Sequence, residues 1–118
     1  MKYLNIASRA LFAIPMAIFG VFHFTKVSII KRMIPPYFPA KEIWVYVTGA
    51  GFILAAISIL LQKKTRIGAG LLGIMLISFA FFVHFGGFLK GNPLASINFA
   101  KDMALAGAAF FIAAQSKD

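Results

Sequence analysis

The sequence predicts an all-α fold: an integral membrane four-helix bundle, with a short amphipathic interfacial helix between the first and second spanning helices. It reads as a single domain over residues 1–118. Three observations carry this. Of the 118 residues 61% are hydrophobic and 13% charged, against about 25% charge in a typical soluble domain. Long apolar runs recur, the clearest from Ile67 to Leu89, which contains no Asp, Glu, Lys or Arg and is long enough to cross a bilayer. The basic residues stand at the ends of these runs, where lipid headgroups lie.

The charge balance narrows the function classes. The net charge is +9, from 12 Lys and Arg against 3 acids. A basic chain can mean nucleic acid, but here the bases form clusters such as Lys26-Lys31-Arg32 and Lys63-Lys64-Arg66 beside apolar segments. The expected partner is therefore the lipid bilayer, with a protein subunit as a further candidate, and no nucleic acid. There is no Cys, which excludes disulfides, thiol redox chemistry and Cys-ligated clusters.

The spanning helices are expected at about 6–24, 42–61, 67–90 and 94–115. The first is too long an apolar run for the core of a signal peptide, and no cleavage site follows it. Pro15 is expected to bend it, and Arg9 to reach towards the amino-terminal interface. Between Thr25 and Lys41, apolar Val27, Ile29, Ile30, Met33 and Ile34 mix with Ser28, Lys31 and Arg32 at roughly helical period, as in a helix lying in the interface. Pro35-Pro36 ends it. Trp44 and Tyr46 open the second spanning helix at headgroup level. Gln62 to Arg66 is a tight polar turn, which makes the second and third helices antiparallel neighbours. Gly91-Asn92-Pro93 is a turn. The fourth helix must begin near Leu94 to be long enough, and so carries Lys101 and Asp102 roughly 10–12 Å inward. Ser116 to Asp118 are expected to fray. The positive charges divide equally between the two sides; the compact Lys63–Arg66 turn favours both termini in the cytoplasm.

The candidate site follows from depth and face together. His84 is the one ionisable side chain in the third apolar run. It shares a stripe with Gly70, Gly73, Ile77, Ala80 and Gly87 at heptad spacing, and small residues let membrane helices approach closely. In antiparallel order, His23 ends the first helix, Glu42 begins the second, His84 lies late in the third and Asp102 early in the fourth. All four fall in the same half of the membrane, each on its helix's small-residue face. An unpaired Asp in hydrocarbon is costly, so Asp102 is expected to approach His84, with His23 or Lys101 as a third member. Lys101 is about 100° round the helix from Asp102 and is expected to turn towards the interface.

Three chemistries suit such a cluster. Beside a quinone ring, His84, Asp102 and His23 would handle protons, with Phe22, Phe81, Phe85 and Tyr46 among the residues walling the ring. Haem could take His23 and His84 as axial ligands, and two His with two carboxylates suit a divalent metal. Quinone is preferred, and no metal-ligand set is assigned. The structural alternatives weigh against each: Glu42 and Asp102 complement helix amino-terminal dipoles, the Phe residues pack or face lipid, and His84 with Asp102 serves as internal glue.

Gly20-x-x-His23-Phe24, Pro35-Pro36-Tyr37-x-Pro39, Tyr46-x-x-Gly49, the late His84 and Lys101-Asp102-x-Ala104-x-Ala106-Gly107 occur in that order. Together they resemble the DoxX family of small membrane proteins over nearly the whole chain. The resemblance implies a four-helix bundle in a bacterial or archaeal cytoplasmic membrane. It also implies an accessory or catalytic subunit of a quinone-linked membrane oxidoreductase, since the family takes its name from a subunit of a terminal quinol oxidase. The alternative function is a non-enzymatic bundle that binds a lipid or partner protein. A transporter ranks last, because no inverted repeat or pair of broken helices is present.

Overall fold

The computed structural model describes residues 1–118, and every regular element in it is helical. In chain order these are α1 (Lys2–Thr25), α2 (Val27–Lys31), α3 (Lys41–Leu61), α4 (Thr65–Phe79), a π-helical turn (Ala80–His84), α5 (Phe85–Leu89) and α6 (Pro93–Gln115). α4, the π turn and α5 run on as one 25-residue span from Thr65 to Leu89. With α1, α3 and α6 it makes four helices long and apolar enough to cross a membrane.

Local sequence explains the ends. Asn92 caps α6 by accepting from the Ala95 amide at 3.1 Å, and Pro93 takes the first helical position, where no amide donor is needed. The turn between α3 and α4 is closed by Gln62 and Lys64, both at positive φ. Ser58 donates to the Lys63 carbonyl at 2.7 Å, which ties the turn to the last full turn of α3. α1 continues unbroken through Pro15. It begins at Lys2, four residues before the expected start. The last residues leave the helix as expected, but the Arg66 amide donates to the Asp118 carbonyl, so the carboxyl end is tied back to the start of α4.

The helices pack in sequence: α1 on α3, α3 on α4, and the α4–α5 span on α6. α1 crosses α3 where two glycines meet. A Cβ on Gly20 would stand 2.9 Å from the Gly49 carbonyl oxygen, and one on Gly49 would stand 2.6 Å from His23 Cβ. On the other side, Gly73 leaves a slot for the Phe110 ring, 2.6 Å from where a Cβ would be. Between these crossings lies a buried cluster of small and medium side chains, among them Ala13, Met16, Ala55, Ile59, Leu72 and Ala106. The outward faces carry large apolar residues such as Leu54, Leu71, Ile74 and Phe111, all more than half exposed. An apolar exterior around a small-residue interior suits lipid rather than water.

α1 and α6 meet less closely: Ala13 and Met16 of α1 share one buried cluster with Ala106 and Ala109 of α6. A cleft lies at each end of this seam. The expected interfacial helix is also much shorter than its apolar pattern. Only Val27–Lys31 is helical; the chain then turns, and Pro35, Pro36 and Pro39 hold the rest in irregular backbone.

Candidate functional site

The cleft at the α2 end is an apolar cavity of about 280 Å³. Phe19, Phe22 and His23 of α1 form one wall, and Trp44, Val45, Thr48 and Phe52 of α3 the back. Leu76, Phe79, Val83 and His84 come from the third span, and Asn98, Lys101 and Asp102 from α6. Ile30, Met33, Ile34 and Phe38 from α2 and the following loop cover it. In the segment that reads as amphipathic, Ile30, Ile34 and Phe38 are half-buried over the cavity as a lid, while Ile29 and Met33 stay largely exposed.

His84 and Asp102 meet across the α4–α6 crossing. His84 Nε2 lies 3.3 Å from Asp102 Oδ2, and both side chains are nearly buried, at 12% and 8% exposure. His84 is the last residue of the π turn. It and Phe79 both line the cavity, while Ala80 is fully buried. π turns inside α-helices occur frequently at functional sites.

His23 lies on the opposite wall. Its Nδ1 stands 2.6 Å from the Phe19 carbonyl, and its ring packs on Phe52 with centroids 5.2 Å apart. A carbonyl oxygen only accepts, so Nδ1 carries a proton and donates to it. The Gly20–Gly49 crossing sets this position, because Gly49 lies directly against His23 Cβ. Lys101 is exposed and reaches across the seam, its Nζ 5.4 Å from the centroid of the Phe19 ring. It stands at the cavity mouth with its charge unpaired.

Several expected members lie elsewhere. Glu42 is exposed and pairs with Lys31 at 3.2 Å, because α2 returns over the start of α3 and offers it a nearby cation. Tyr46 faces outward and packs on Phe24 at 5.5 Å. Phe81 and Phe85 pack on Phe99 at 5.5 Å each, which joins the π turn and α5 to α6 and takes both rings out of the cavity lining. With Glu42 absent, no three His, Asp or Glu side chains converge as a metal site would require. Conversely, Trp44, Thr48, Asn98 and the lid residues line the cavity without having been assigned to it. Asn98 carried a usable signal, since it precedes Asp102 by one turn on the same face. The lid carried none, since apolar residues in an interfacial helix are expected to face lipid.

The arrangement offers an apolar, lid-covered space, a carboxylate–imidazole pair on one side, a second imidazole opposite and a lysine at the entrance. Such a space suits a small, mostly apolar molecule with hydrogen-bonding groups at its ends.

The comparisons with known proteins bear on the family. No curated protein and no solved structure matches the chain. A family model described as "Domain of unknown function (DUF8561)" matches residues 12–86. This corrects the resemblance to the DoxX family, for which no family-model match is found. Part of that pattern serves packing: Gly20 and Gly49 stand where α1 and α3 cross, and Pro35, Pro36 and Pro39 follow the end of α2. The matched segment begins in α1 and takes in His23, the lid, α3 and the π turn with His84, so the chain belongs to the family of this domain of unknown function, DUF8561.

Proposed function

We propose that this is a multi-pass membrane protein whose lidded cavity binds a quinone-type ring, as an accessory or catalytic subunit of a membrane oxidoreductase. The carrying observation is the near-buried His84–Asp102 pair opening into an apolar space with a second imidazole opposite. A flat ring with an oxygen at each end needs apolar walls and a polar group at each pole. His84 on one side and His23 or Lys101 on the other meet that need. An imidazole held against a carboxylate can take up and release a proton in place, which is the task left to the protein when a quinone changes protonation. The compact basic turn Gln62–Arg66 supports both termini lying on the cytoplasmic face of the cell membrane.

The test is binding. Protein purified in mild detergent is extracted with organic solvent for bound quinone, then titrated with a short-chain ubiquinone by tryptophan quenching, since Trp44 lines the cavity. Saturable binding weakened about tenfold or more by Asp102→Asn in a folded protein is expected. No extractable quinone and no saturable quenching would remove the proposal.

A second reading has one observation in its favour. The 3.3 Å contact lets His84 and Asp102 satisfy each other without any ligand, as in a non-enzymatic protein that binds lipid or a partner subunit. In that case His84→Ala and Asp102→Asn lower stability, and quinone binding is absent from the wild type too.

A further inference from the structure

The cleft at the other end of the seam has a different chemistry. It encloses about 290 Å³ between α1 and α6. Arg9, Asn5 and Ser8 line it from α1 and Gln115 from α6, with Phe12 and Phe111 as apolar walls. Arg9 is half-buried. Its Nε donates to Asn5 Oδ1 at 2.8 Å, one turn nearer the start of α1. One terminal nitrogen, Nη1, is sealed from solvent and has no hydrogen-bond partner. Buried guanidinium nitrogens are ordinarily paired, and this one is left with its donors unused beside a cleft.

The level of Arg9 in the fold is readable from the glycine crossing. α1 and α3 are antiparallel and cross at Gly20 and Gly49. Arg9 precedes Gly20 by nearly the distance at which Leu61 follows Gly49, so it stands level with the end of α3 and the basic turn Lys63-Lys64-Arg66. Lys2 and Lys117 lie at this same end, and the acidic side chain there is that of Asp118, in an otherwise cationic surface. No acidic side chain lines the cleft.

We infer that this cleft holds the phosphate of an anionic phospholipid, gripped by the guanidinium of Arg9 with Ser8 and Gln115 beside it, while an acyl chain lies along Phe12 and Phe111. Arginine pairs with phosphate through two parallel N–H donors, and the apolar walls Phe12 and Phe111 suit an acyl chain. The inference rests on the membrane placement proposed above, but not on quinone binding.

Native mass spectrometry of the detergent-purified full chain tests it, with phosphatidylglycerol, phosphatidylcholine and inorganic phosphate as separate probes. One phosphatidylglycerol per chain is expected to be retained, in preference to phosphatidylcholine and undisplaced by inorganic phosphate. Arg9→Gln is expected to cut that retention about tenfold, the loss of one charge-assisted pair. Arg9→Lys, which keeps the charge and loses the fork, should fall between them. Lys63→Gln, at the same level but outside the cleft, should retain the lipid. Equal retention of both lipids, equal loss in Lys63→Gln, or displacement by inorganic phosphate overturns the inference. Recovery of the chain from cells without detergent instead overturns the membrane placement, so the two failures are distinguishable.

Discussion

The phenolic oxygen of Tyr37 lies 2.8 Å from the carbonyl oxygen of Phe82 and donates to it. The lid is thereby fastened to the π turn that carries His84, although the two residues are far apart in the chain. Removing the hydroxyl with Tyr37→Phe should release about 1 kcal/mol of lid closure. Amide exchange over residues 27–40 should then quicken roughly fivefold, with little change in α3. Unchanged exchange across the lid would show that apolar packing alone holds it.

The glycine crossing makes a sharper prediction. At Gly49 a methyl group would press on His23 Cβ at 2.6 Å and on Phe24 at 3.0 Å. Gly49→Ala should therefore cost about 1–3 kcal/mol through overpacking and move His23 off its wall. Gly70 has nothing within 4 Å of its would-be Cβ. Gly70→Ala should be neutral or stabilise by up to about 1 kcal/mol, from helix propensity. Thermal unfolding of the two variants in detergent reads the contrast, and equal effects would refute the assignment of the crossing.

For the His84–Asp102 pair, a double-mutant cycle with His84→Gln and Asp102→Asn isolates the interaction. Hydrogen bonds between membrane helices average about 0.6 kcal/mol and reach roughly 2. A coupling in that range is expected from denaturant unfolding, favourable in the wild type. A coupling near zero would mean that the 3.3 Å approach contributes nothing to folding.

Glu42 should behave as a bystander. Its ion pair with Lys31 is exposed on both sides, and such pairs contribute about 0–1 kcal/mol. Glu42→Gln should leave stability within about 0.5 kcal/mol and any ligand binding at the cavity unchanged. Loss of binding in this variant would place Glu42 back among the site residues.

The legible part of the site is instructive. The meeting of His84 with Asp102 could be anticipated, because level along a helix follows from its rise per residue and face from its period. Phe81, Phe85 and Tyr46 were expected at the cavity and are not there. Phe99 of α6 takes up Phe81 and Phe85, and Phe24 of α1 takes up Tyr46, contacts between helices that no period along one helix announces. Glu42 was misplaced for a related reason. Its partner Lys31 sits on a segment whose fold-back depends on three prolines and on Tyr37, not on any repeating pattern.

Composition and the spacing of apolar residues already dictate that the chain is helical, that four segments are long and apolar enough for a bilayer, and that its few ionisable interior groups sit at particular depths. Those are one-dimensional facts, set by the cost of burying polar groups and by helical geometry. Packing decided the rest: the looser seam between α1 and α6, the fold-back of the lid, and the places of Tyr46, Phe81 and Phe85. Each depends on which side chains meet across segments distant in sequence, and no spacing along one helix encodes that.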